Sequence, residues 1–85
     1  MQDFRKSLMQ AYARLEDIEK DPYPDPAIDS VTVAMLVEKT NQRARKVGCG
    51  HLVVRRDEYE QHGSPADQGM RVIEKMLAWC QDHKA

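Results

Sequence analysis

The side chains with the widest chemical range in this sequence are two cysteines and three histidines. Cys49 and His51 flank Gly50, and Cys80 and His83 flank Gln81 and Asp82. Two thiolates and two imidazoles are a ligand set for tetrahedral zinc. The spacing argues against it, because one pair is separated by one residue and the other by two, unlike the paired ligands of zinc fingers. Cys80 also falls on the core-facing line of a helix, where cysteine behaves as a small apolar residue. The expectation is therefore no metal and no cofactor, with His83 a solvated terminal group and His62, beside Gly63, a loop residue. In a reducing compartment a Cys49–Cys80 disulfide is not expected either. Asp57, Glu58 and Glu60 surround Tyr59 without the spacing of a cation-binding loop, and read as surface charges. The sequence contains neither a nucleophile–base motif nor a glycine-rich phosphate loop, so it reads as no enzyme and as having no small-molecule substrate.

The elements that must position these groups follow from apolar spacing. Met1, Phe4, Leu8, Ala11, Leu15 and Ile18 recur at intervals of three and four, which predicts a helix over residues 2–20. Asp21-Pro22-Tyr23-Pro24-Asp25-Pro26 ends it, since each proline disfavours helical geometry in its predecessor and lacks an amide donor; residues 21–28 read as an extended connector. Asp29 or Ser30 then caps a second helix over 30–47, with Val33, Val37, Thr40, Ala44 and Val47 on its seam, Leu36 beside them and Gly48 as its stop. Residues 51–56 are too short for periodicity to decide, and Val53-Val54 lean towards an extended segment. Ser64 as cap, Pro65 at the first helical position and Asp67 near the positive helix end predict a third helix over 65–81. The fold class is thus mainly α: a three-helix domain spanning residues 1–85, with a short extended or irregular segment before the last helix.

Composition narrows the functional classes. Thirteen Lys and Arg against 14 Asp and Glu give a net charge of −1, which removes the strongest argument for nonspecific binding to nucleic acid or anionic membranes. Hydrophobic residues at 41% and charged at 32% exclude a low-complexity disordered chain. The longest apolar-rich run, Val31 to Val37, is far too short to span a bilayer. The first six residues lack the order of a secretory signal, and two cysteines do not make a disulfide scaffold, so the expected location is the cytoplasm.

The third helix carries Ala66, Met70, Ile73, Leu77 and Cys80 on one line and Val72, Met76 and Trp79 on a second. Its apolar arc covers about half the circumference, wider than the arcs of roughly 120° and 100° on the first two helices. Two narrow faces can cover one line, leaving the second open unless residues 51–56 fold over it. Tryptophan and methionine suit a binding surface, so Val72, Met76 and Trp79 are the expected partner-binding residues of a small regulatory or adaptor protein that binds another protein, itself included, as a homodimer. The competing reading makes them intramolecular core, with Trp79 as a central packing residue.

Residues 36–47 support a second function. Cut at Thr40-Asn41, they resemble a helix-turn-helix, in which Leu36, Val37 and Val47 would pack two helices together. The resemblance implies a DNA-binding transcriptional regulator reading the major groove with Gln42, Arg43, Arg45 and Lys46. Asn41 stands where that family often has glycine, and asparagine tolerates left-handed geometry. Gly48 departs from the pattern, leaving a recognition helix of little more than one turn with Arg55-Arg56 to serve as wing or phosphate contacts. The alternative is one uninterrupted helix with a solvated basic face.

Overall fold

The computed structural model describes residues 2–59 and 63–82, and within them places helices α1 (Gln2–Glu19), α2 (Pro26–Lys46), α3 (Arg56–Tyr59) and α4 (Pro65–Asp82), with a 3₁₀ turn at Gly50–Leu52. The mainly α expectation holds, and no strand occurs among the described residues. Helix α1 lies where its seam predicts and buries Phe4, Leu8, Ala11 and Leu15.

Helix α2 begins four residues earlier than the sequence suggested. Asp25, not Asp29 or Ser30, is its N-cap: the carboxylate accepts from the Ile28 amide at 3.3 Å. Pro26 occupies the first helical turn, where its fixed φ is already helical and its missing N–H has no partner to lose. The connector shortens accordingly, and Asp21 closes it with a turn, accepting from the Tyr23 amide at 2.9 Å. The opposite end stops as expected at Gly48, which has φ +82°. There the Gly48 amide donates to Arg45 C=O at 3.3 Å and the Cys49 amide to Ala44 C=O at 2.7 Å, the paired bonds of a Schellman motif, with Ala44 and Cys49 both buried. Val47, placed on the seam by its spacing, is the C-cap residue and is exposed.

Residues 50–59 form no strand. The 3₁₀ turn leads into extended backbone at Val53 (φ −59°, ψ 132°), and Asn41 supplies what a neighbouring strand would have given. Asn41 is buried inside α2; its Nδ2 donates to Val54 C=O at 2.8 Å and its Oδ1 accepts from the Val54 amide at 3.2 Å. One side-chain amide thus satisfies both backbone groups of Val54.

Helix α4 starts as predicted, with Ser64 Oγ accepting from the Asp67 amide at 3.1 Å. The same hydroxyl donates to Glu19 Oε2 at 2.5 Å, tying the end of α1 to the start of α4. Ser64→Ala removes both bonds, and chemical denaturation should report a loss of about 1 kcal/mol.

The face that α4 buries is rotated from the expected one. The buried line runs Ala66, Gly69, Ile73, Met76, Cys80, with Val72 beside it, while Met70 and Leu77 are only partly buried. Substituting Gly69 and Met76 for Met70 and Leu77 turns the seam by about 40°. The cause is close packing at Gly69. A Cβ there would meet Val33 Cγ1 at 2.8 Å and Leu15 Cδ2 at 3.1 Å, so α1, α2 and α4 meet where α4 has no side chain. Gly69→Ala gains about 1 kcal/mol of helix propensity but overpacks the stiff, buried Val33; a net loss of about 1 kcal/mol is expected from urea unfolding. A stabilised variant would show that the helices can separate without cost.

Candidate functional site

The two expected binding surfaces fare differently in the fold. Val72 and Met76 are 4% and 1% exposed, so they are core residues and not a docking face. Trp79 is half-buried, and His51 stands edge-on to it with ring centroids 5.0 Å apart. Leu52, Val53, Val54 and Tyr59 pack onto the same core. The chain itself closes over the second line of α4, because the Asn41 clamp holds residues 53–54 down and the turned seam draws Met76 inward.

Apart from Met9 on α1, the exposed large apolar side chains lie on α2 and at its two ends. Ile28, Val31 and Met35 are 62%, 58% and 59% exposed. Their spacing of three and four places them within about 60° of arc, diametrically opposite the buried line Val33, Val37, Thr40 and Ala44. Facing away from α1 and α4, this stripe is out of reach of the chain's own core. Tyr23, in the connector that leads into α2, is 86% exposed. Beyond Met35 the same side of the helix continues through Lys39, Gln42 and Lys46, so it is apolar in its first half and basic in its second. A sequence scan for core seams passes over this stripe because Val31 and Met35 alternate with true core positions.

Charge is divided between the ends of the molecule, which measures 41 × 22 × 18 Å. At one end Glu19, Asp21 and Asp29 line a hollow of about 460 Å³ with Ser64 and Pro65. At the other, Lys6, Arg43 and Lys46, with Asp3 among them, line a groove of about 420 Å³ between the start of α1 and the end of α2, where Arg43 also hydrogen-bonds Ser7. The arrangement suits the helix dipole, with Asp25 and Asp29 at the positive end of α2 and Arg43, Arg45 and Lys46 at its negative end.

The residues suggested for DNA contact, Gln42, Arg43, Arg45 and Lys46, are all exposed. They lie on the last turns of one continuous helix, however, with no turn at Thr40-Asn41 and no non-glycine residue at positive φ among the described residues. The helix-turn-helix geometry is therefore absent from residues 36–47. Asn41, assigned there to a left-handed turn, is helical and spends its amide on Val54.

Cys49 and Cys80 are both buried free thiols. Burial pushes the Cys80 thiol above its ordinary value, with Cys49 nearby adding to the shift, so the sulfur is held protonated and poorly nucleophilic. No group of three or more His, Cys, Asp or Glu side chains able to hold a metal occurs among the described residues. His62, His83 and Glu60 lie outside those residues. Elsewhere Tyr12 Oη donates to Glu74 Oε1 at 2.9 Å, and that bond to the carboxylate raises the phenol above its usual range. No described helix is long and apolar enough to cross a membrane. No protein-family model matches this chain, and no curated protein and no solved structure is significantly similar to it.

Proposed function

We propose that this protein is a small regulatory or adaptor protein of the cytoplasm, acting without catalysis by occupying a partner's surface through an apolar helix face. The face is the outer side of α2, in place of the α4 line expected from sequence. The observation that carries this reading is the alignment of three large apolar side chains, each about three-fifths exposed, directly opposite the buried line of the same helix. Single exposed apolar residues need no explanation, whereas a contiguous line on one helix turn after turn supports a docking surface. Its free energy comes from desolvating Ile28, Val31 and Met35, and the flanking charges set orientation and selectivity.

Val31→Glu tests this. The residue is exposed, so helix content by circular dichroism should match wild type, while retention of partners in affinity capture from the source cells should be lost. Equal capture by wild type and Val31→Glu would refute the α2 surface. A parallel titration of duplex DNA separates the other function: steep salt-sensitive binding that Arg43→Ala with Arg45→Ala removes, and Val31→Glu leaves intact, would favour the basic end of α2 over its apolar half.

A further inference from the structure

We infer that the groove between the start of α1 and the end of α2 is a binding site for a small phosphate monoester, independent of the apolar stripe on α2. Lys6 on α1 and Arg43 and Lys46 on α2 bring three cations to its walls against one carboxylate, Asp3, on a chain whose net charge is −1. None of the three cations forms an ion pair among the described residues. The α2 dipole accounts for Arg43 and Lys46, which stand in the last turn of that helix. It does not account for Lys6, which lies in the second turn of α1, where no helix dipole favours a cation. Arg43 and Lys46, three positions apart on one helix, also repel each other. Crowding these charges weakens the fold, whereas an anion seated among them turns each repulsive approach into an attractive one.

The donors select the anion. Arg43 is held across the groove by the hydrogen bond from its Nη1 to Ser7 Oγ, which leaves its other N–H groups for an oxyanion in the fork geometry that suits phosphate. Ser7 accepts that bond and keeps its hydroxyl proton to donate, and Gln10 adds a side-chain amide to the lining. A phosphate monoester carries a charge of about −1.5 to −2 at neutral pH, which matches the local excess of positive charge, whereas a sulfonate carries only a single charge. Phe4 and Val47 complete the walls, so the groove meets the organic body of an ester as well as its phosphate. At about 420 Å³ it lies within the size range of small-molecule sites.

Titration of the ¹⁵N-labelled full chain with phenyl phosphate in about 50 mM NaCl, followed by amide NMR shifts, tests the site. Shifts at Lys6, Ser7, Gln10, Arg43 and Lys46 should saturate with a Kd on the order of 1 mM. Inorganic phosphate lacks the organic body and benzenesulfonate the second charge, so each should bind at least about threefold more weakly. Lys6→Gln with Arg43→Gln should weaken phenyl phosphate at least about tenfold while circular dichroism matches wild type. Val31→Glu should leave this binding intact, so failure of the α2 stripe and failure of the groove are told apart. Without ligand, Lys6→Gln should raise the thermal midpoint at low salt by about 1–2 °C, because it removes a like-charge repulsion. A lowered midpoint would show that the Lys6 charge is already compensated, and would overturn the inference. So would the absence of saturable shifts, shifts spread equally over Lys39 and Lys75, or equal binding of the three anions. An alanine-flanked phosphotyrosine peptide that binds more than about tenfold tighter than phenyl phosphate would assign the groove to a protein chain and overturn the small ligand.

Discussion

Asn41→Leu should lower the unfolding free energy by about 3 kcal/mol, although leucine has the same branched skeleton as asparagine and forms helix better. The buried amide of Asn41 is the partner of both the N–H and the C=O of Val54. Leucine leaves both without a partner, and each orphaned group costs about 1–3 kcal/mol when water cannot reach it. The released segment carries Leu52, Val53 and Val54, which pack onto the core, and His51, which meets Trp79. Trp79 fluorescence should therefore change in the native baseline, and amide exchange at Val54 should accelerate before global unfolding. Asn41→Asp provides a control with the same shape. It keeps the acceptor for the Val54 amide but presents a second acceptor, carrying charge, to the Val54 carbonyl, so it should be at least as destabilising as leucine. Because a chain of this length has a total stability of only about 4–13 kcal/mol, either change takes a large share of it. Wild-type stability in Asn41→Leu would mean that solvent satisfies Val54 and that the clamp is incidental.

The same residue shows where the sequence was readable and where it was not. Helical seams on α1 and α2 can be read directly because Phe4, Leu8, Leu15, Val33 and Val37 are large, apolar and regularly spaced. The role of Asn41 is not readable that way, since its partner is a backbone thirteen residues away and carries no side-chain signature. The start of α2 was legible: Asp25-Pro26 repeats the cap-then-proline logic that locates α4 at Ser64-Pro65, but three prolines in five residues suggest an extended connector through to residue 28. Gly69 misleads for a different reason. Counted as a gap in an apolar line, it is a point where side chains of α1 and α2 press against the α4 backbone, and omitting it turns the expected face of α4 away from Met76. That rotation moved the expected binding site onto core residues. The α2 stripe was present in the sequence throughout, but choosing between an exposed and a buried apolar line requires knowing which side of the helix its neighbours occupy.

Met76→Asp should unfold the protein at ordinary temperature, and it separates core from surface most sharply. Met76 is 1% exposed and lies on the seam between Ile73 and Cys80. Removing a buried methionine costs about 2–5 kcal/mol through lost burial and the cavity left behind. The new carboxylate adds the penalty of placing a charged group in an apolar interior with no cation on the same buried line to pair with it. The sum reaches or exceeds the whole stability available to 85 residues. Circular dichroism should show loss of the cooperative thermal transition. Met76→Leu, which nearly conserves volume and polarity, should cost less than about 1.5 kcal/mol and retain the transition. Val31→Glu introduces the same charge on the outer side of α2 and should leave the transition where wild type has it. A folded Met76→Asp that merely lost association would place Met76 on a surface after all, and would return the binding face to α4.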